Sequence, residues 1–232
     1  MKLGKNVKIA VSGLCIAATL AGAALPTLAV SPAGYTSLSQ IEEMNDADPA
    51  KVQAIKDALA NIAITRNEEN TAISFSSNYE NSEIAKYKNI AMPWVYLTND
   101  YNDLHFAFTI VSQDSEAPYY WTKADILADN IDDPQYTVSY ESSNVSRSYT
   151  RDKIYLEMLS ATGNDEDAEV FRKILSYERA YIRFNGNRVN GRTRSCTVLM
   201  TQENRQAIAD IINLYDLLNS ATPEERSAAL NG

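Results

Sequence analysis

Chemistry that needs a nucleophile or a metal has few residues to work with in this chain. His105 is the only histidine, and Cys15 and Cys196 are the only cysteines. A multi-histidine zinc site therefore cannot form. Acyl transfer through a cysteine would have to pair His105 with Cys196, and a reactive thiolate needs an exposed, electropositive setting. The apolar alternation of Leu104, Phe106 and Phe108 leaves His105 out of phase with the inward face, so it reads as a partly exposed strand residue. Cys196 shares its phase with Val198, which predicts a buried, unreactive thiol. Two acidic runs, Asp100-Tyr101-Asn102-Asp103 and Asp129 to Asp133, begin like calcium loops. They lack the glycine at the sixth position and the bidentate glutamate at the twelfth. Both read as strand turns, where Asn and Asp bond their own backbone. No cofactor is expected. A glycosidase-like carboxylate pair stays open as the enzymatic alternative, because such acids meet only in space and no pair is singled out.

Binding chemistry has more to draw on. Arg179, Arg183, Arg188, Arg192 and Arg194 cluster near the C-terminal end of an otherwise acidic chain. Tyr181 and Arg183 share a strand face opposite Ile182 and Phe184. Guanidinium forks suit carboxylates and phosphates, so Arg183, Arg188, Arg192, Arg194 and Tyr181 are the candidate ligand contacts. The competing expectation is that these arginines pair with the chain's own acids, Glu178 and Asp165 to Glu169 among them. A second candidate set is aromatic: Tyr96, Tyr101, Tyr119, Tyr120, Trp121, Tyr136, Tyr140 and Tyr149. Aromatic residues on a sheet can hold a sugar or a protein partner, although sheets are rich in tyrosine anyway.

The elements that must position these residues follow from periodicity. Asp48 caps and Pro49 opens a helix with Val52, Ile55, Leu59 and Ile62 on one face, running to about Ile64. From Thr71 the period becomes two: Ile73 and Phe75, Trp94 and Tyr96, then Leu104 to Ile110. Tyr119 to Ala128 alternates with Tyr120, Ala124 and Ile126 on one side; the strands Tyr136, Val138, Tyr140 and Ile154, Leu156, Met158 follow. A short helix opened by Asp165 and Glu166 turns Phe171, Ile174 and Leu175 inward. The strand Ala180, Ile182, Phe184 comes next, with turn residues expected at Asn185-Gly186 and Asn190-Gly191. Thr201 caps a final helix carrying Ile208, Ile211, Ile212, Tyr215 and Leu218. This order predicts an α+β fold: an antiparallel sheet or sandwich-like meander with an N-terminal helix and C-terminal helices packed on it.

The first residues look like an export signal. Lys2, Lys5 and Lys8 precede an apolar run from Ile9 to Leu25, and Thr27-Leu28-Ala29 places small residues around a cleavage site after Ala29. An uncleaved anchor is the alternative, since the run is nearly long enough to span a bilayer. Leu14 before Cys15 argues against lipidation. The expected organisation is a signal peptide over 1–29, a flexible leader over 30–47, one domain over 48–222 and a mobile tail over 223–232. Loss of the leader's three lysines leaves 18 basic against 30 acidic residues, a net charge of −12. Such a surface repels nucleic acid and anionic lipid, so neither nucleic acid nor stable membrane insertion is expected. A protein or a cell-wall polymer remains as partner. One cysteine in the mature chain permits no intramolecular disulfide.

Two families share features with these residues. The order His105, Cys196, Arg205 and the run Thr193-Arg194-Ser195-Cys196 resemble the sortase pattern Thr-Leu-x-Thr-Cys. Arg194 replaces the leucine, Ser195 the second threonine, and Arg205 falls in a helix, so the chain is not read as a sortase. The run Ala180 to Gly186, a hairpin and a helix ending Ile211-Ile-Asn-Leu-Tyr215 resemble the tail of uncharacterised secreted or surface proteins of Gram-positive bacteria. That resemblance implies the same fold and an extracellular location, with no activity. The expected function is an exported, non-catalytic binding or cell-surface interaction domain, with an exported hydrolase as the alternative.

Overall fold

The computed structural model describes residues 47–67, 69, 71–78, 89–150, 153–189 and 192–231, apart from the side chains of 187–189, 192 and 193. The expected leader, nearly all of the flexible segment 30–47 and the Asn190-Gly191 turn lie outside the described residues.

Asp48 starts helix α1 (Pro49–Ala58) as its spacing predicts, its carboxylate accepting the Ala50 amide at 2.9 Å. The helix stops earlier than expected. A 3-10 turn (Leu59–Asn61) leads into strand β1 (Ile62–Arg66), which pairs antiparallel with β2 (Ala72–Ser77). The β-branched residues Ile62, Ile64 and Thr65 suit a strand, and pairing with β2 outweighs the helical spacing that includes Ile62. Strands β3 (Ile90–Thr98), β4 (Leu104–Asp114), β8 (Tyr155–Thr162) and β7 (Ser146–Tyr149) complete a six-stranded sheet in the order β1-β2-β3-β4-β8-β7. A second sheet runs β10-β9-β5-β6, from β5 (Trp121–Ala128), β6 (Tyr136–Glu141), β9 (Ala180–Val189) and β10 (Arg192–Leu199). Every strand pairing is antiparallel.

Helix α2 (Asp165–Leu175) carries a capping box between Asn164 and Asp167. Helix α3 (Gln202–Ser220) is capped by Thr201 and buries Ile208, Ile211, Ile212, Tyr215 and Leu218, the residues its spacing predicts. The fold is α+β. Its core is shared: Phe106 lies 5.3 Å from the Tyr215 ring of α3, whereas Phe108 lies 4.7 Å from Tyr140 of β6. The inward face of β4 therefore meets the long helix at one end and the second sheet at the other.

Four expectations need correction. Residues 223–231 are a helix, α4 (Pro223–Asn231), not a mobile tail, because Pro223 suits a first helical position. Arg226 is buried and donates to the carbonyls of Leu218, Tyr101 and Asn102, which fastens α4 to α3 and to the β3–β4 turn. Tyr120 does not share a side with Ala124 and Ile126. A bulge between Trp121 and Lys123 lets Trp121 enter the core and leaves Tyr120 outside. In β8 the inward residues are Glu157 and Leu159, so Leu156 and Met158 lie on the opposite face. Asn185-Gly186 is no turn: it lies within β9, beside the bulge.

Candidate functional site

The expected arginine cluster separates along the hairpin. Arg183 donates to Thr197 Oγ1 at 3.2 Å and to the Ile131 carbonyl at 2.9 Å. Arg194 reaches the other end of β5, donating to the Ala117 carbonyl at 2.6 Å and to Asp114 at 3.1 Å. Its guanidinium also lies 5.0 Å from the Tyr119 ring centroid and 3.9 Å from Glu116. Both groups thus serve acceptors of their own chain. Tyr181 is half-buried on the outward face beside Arg183, across from Leu127 and Leu199. The side chains of Arg188 and Arg192 lie outside the described residues.

No cysteine–histidine–arginine set is assembled. His105 stands on the outward face of the six-stranded sheet with its ring stacked on Tyr96 at 4.5 Å. Cys196 belongs to the other sheet, opposite Phe184. It is half-buried, not enclosed as its phase predicts. Arg205 caps the end of α2, donating to the carbonyls of Leu175 and Tyr177. The Cys196 thiol sits instead beside the Tyr119 hydroxyl, which also donates to Asp114 at 2.8 Å. Burial, the thiol and that carboxylate push the Tyr119 hydroxyl above its ordinary range. Burial opposes ionisation of Asp114. The amides of Ala117 and Glu116, the Tyr119 hydroxyl and Arg194 outweigh it and hold the carboxyl below its usual value.

Among the described residues two carboxylates are buried inside strands, and both are occupied. Asp125 accepts from Ser139 at 2.6 Å and Asn185 at 2.7 Å, with Lys123 3.2 Å away. Glu157 is 1% exposed and accepts the amides of Tyr119 at 2.6 Å and Tyr120 at 3.1 Å. Its other oxygen takes Arg147 Nε at 2.9 Å. The two terminal nitrogens of Arg147 then donate to the carbonyls of Val145 at 3.2 Å and Trp121 at 2.8 Å. Trp121 closes the set through Ser112, its indole N–H donating at 2.8 Å. This network pins the segment 115–120 as it crosses from one sheet to the other.

The crossing presents one aromatic ring to solvent. Tyr120 has φ 54, an unusual left-handed backbone for a tyrosine, and is 42% exposed. A residue held there costs about 1–3 kcal/mol and persists only where its surroundings over-determine it, as the Tyr119 and Tyr120 amide bonds to Glu157 do. The Arg147 guanidinium lies 5.8 Å from the Tyr120 ring centroid. Strand register extends the surface: Glu157 is opposite Ser112 and Arg147, and the next row on that face holds Asp114, Tyr155 and Tyr149. Tyr149 is 57% exposed, 4.7 Å from Tyr155 between ring centroids. Tyr120 beside Arg147, and Tyr149 with half-buried Tyr155 one row further on the same face, make up the candidate platform. It belongs to β7 and β8 and to the crossing segment.

Periodicity nominates Tyr120 and Tyr149 only within a longer aromatic set, and Tyr155, Arg147 and Glu157 not at all. The other aromatic row faces differently. Tyr96 of β3 stacks on His105 of β4, and Trp94 lies tilted against Tyr96 at 5.6 Å. Among the described residues no group of three or more His, Cys, Asp and Glu side chains could hold a metal ion. Among them, too, no helix is long and apolar enough to cross a membrane. No family model, curated protein or solved structure matches the chain.

Proposed function

We propose that this chain is an exported, non-catalytic binding domain that meets its ligand through the Tyr120–Tyr149–Tyr155 platform. One observation carries the reading: exposed Tyr120 and Tyr149 stand beside a charge network in which buried Glu157 is bonded by Arg147 and by the Tyr119 and Tyr120 amides. Tyrosine offers contact area at low entropic cost, and a rigid base removes more of that cost. The bonds among Glu157, Arg147 and the Tyr119 and Tyr120 amides supply that base. Export is supported by the lysine-led apolar start and by the resemblance to secreted Gram-positive proteins. The test is a pull-down on isolated Gram-positive cell walls and on secreted proteins, comparing the natural chain with Tyr149→Ala and with Arg192→Glu/Arg194→Glu. Loss of retention in Tyr149→Ala supports the platform. Loss only in the arginine pair would move the site to the hairpin.

A further inference from the structure

We infer that the ligand of this platform is an uncharged glycan. The inference rests on the platform reading above and adds the chemistry of what binds there. The first ground is charge. A surface built to grip phosphate or carboxylate offers a cation whose charge is not already met. Arg147 is paired with Glu157, and each of its three nitrogens already donates once, to Glu157, Val145 and Trp121. Arg194, next along the crossing, has both terminal nitrogens on Ala117 and Asp114, with Glu116 3.9 Å away. The cations here are matched by Glu157, Asp114 and Glu116, and the chain as a whole is acidic. An anionic polymer would meet two arginines whose charge is already matched, beside one exposed lysine, Lys153, in the turn between β7 and β8.

The second ground is the rim. The run Ser142 to Thr150 reads Ser-Ser-Asn-Val-Ser-Arg-Ser-Tyr-Thr, and its single aliphatic residue, Val145, is buried. All four residues of β7 are exposed, and β7 is the edge of its sheet. Protein-binding hot spots are ringed by contacts that exclude water. Here the rings stand among serine and threonine hydroxyls, which suit a ligand made of hydroxyls with C–H faces to lay on phenol.

The experiment measures affinity of the cleaved, full-length secreted chain for a neutral set (xylan, mannan, β-glucan, amylose) and for an anionic set (teichoic acid, polyglutamate). The expected result is binding to a neutral polymer that changes less than about twofold between low salt and 0.5 M salt, since uncharged contacts are not screened. Tyr149→Ala and Tyr120→Ala should each weaken it at least about tenfold, the loss of one aromatic anchor. Binding to the anionic set alone, weakened by salt and by Tyr149→Ala, overturns the glycan inference and leaves the platform standing. Neutral-glycan binding untouched by both tyrosine variants overturns the platform itself. Retention by none of these polymers overturns the glycan inference.

Discussion

The molecule uses a buried acid to fasten backbone in two places, and only one of them carries side chains outward. At the terminal clasp, Glu225 accepts the amides of Thr222 at 2.8 Å and Asp48 at 3.3 Å, while Arg226 beside it holds the Leu218, Tyr101 and Asn102 carbonyls. At the crossing, Glu157 accepts the Tyr119 and Tyr120 amides while Arg147 holds the Val145 and Trp121 carbonyls. The bonding is alike. Around the clasp the neighbouring apolar side chains Leu218 and Ala229 are buried, so the device closes the fold. Around the crossing Tyr120 and Tyr149 stand in solvent, and Tyr120 keeps a left-handed backbone to do so. That contrast is what supports the binding role proposed for the crossing.

Replacing the acids one at a time breaks the comparison most sharply. Glu157→Ala leaves a half-buried guanidinium and two amides without their acceptor, which should lower stability by about 2–4 kcal/mol in urea titrations. Glu225→Ala should also destabilise the fold. Ligand binding measured below both transitions should fall only in Glu157→Ala. Equal binding losses would make the two networks equivalent.

A smaller effect is expected at Gly186. A Cβ there would overlap the Arg194 carbonyl oxygen and come within 2.5 Å of that of Tyr119. Both are backbone atoms, so Gly186→Ala should shift the hairpin against the crossing and cost about 1–3 kcal/mol. An unchanged urea midpoint would show that the hairpin does not brace the platform.

Acid should loosen the turns first. Asn102 and then Thr98 hold the Asp100 carboxyl down at about 2, and Asp114 and Glu224 also lie below their ordinary values. A carboxylate with a lowered folded pKa adds stability above its unfolded value and loses it as pH falls through the folded one. Urea midpoints should therefore fall between about pH 4.5 and 2. A flat profile there would count against these hydrogen bonds.

Much of the fold was readable because burial imposes a period. The stripe Ile208, Ile211, Ile212, Tyr215, Leu218 and the alternation Phe106, Phe108, Ile110 lead directly to α3 and β4. The site was hidden for the same reason. Pattern reading sends charges outward, so Glu157 between Leu156 and Met158 looked like the exposed residue of its strand, whereas Arg147 bonds over it. The bulge after Trp121 reversed the phase of Tyr120, and no local signal marks it. Strand β7, fully exposed, has no apolar alternation to reveal it. The arginine cluster was visible as composition, but its division between Ile131 and Ala117 depends on which loops lie at each end of β5.

The measurement closest to the central claim pairs two readings on Tyr149→Ala: affinity for cell-wall material and the urea midpoint. Tyr149 is exposed at a sheet edge, so truncating it should change stability by no more than about 0.5 kcal/mol. If the platform meets the ligand, affinity falls at least about tenfold while the midpoint stays in place. Unchanged affinity in a variant that folds as well as the natural chain would contradict the account.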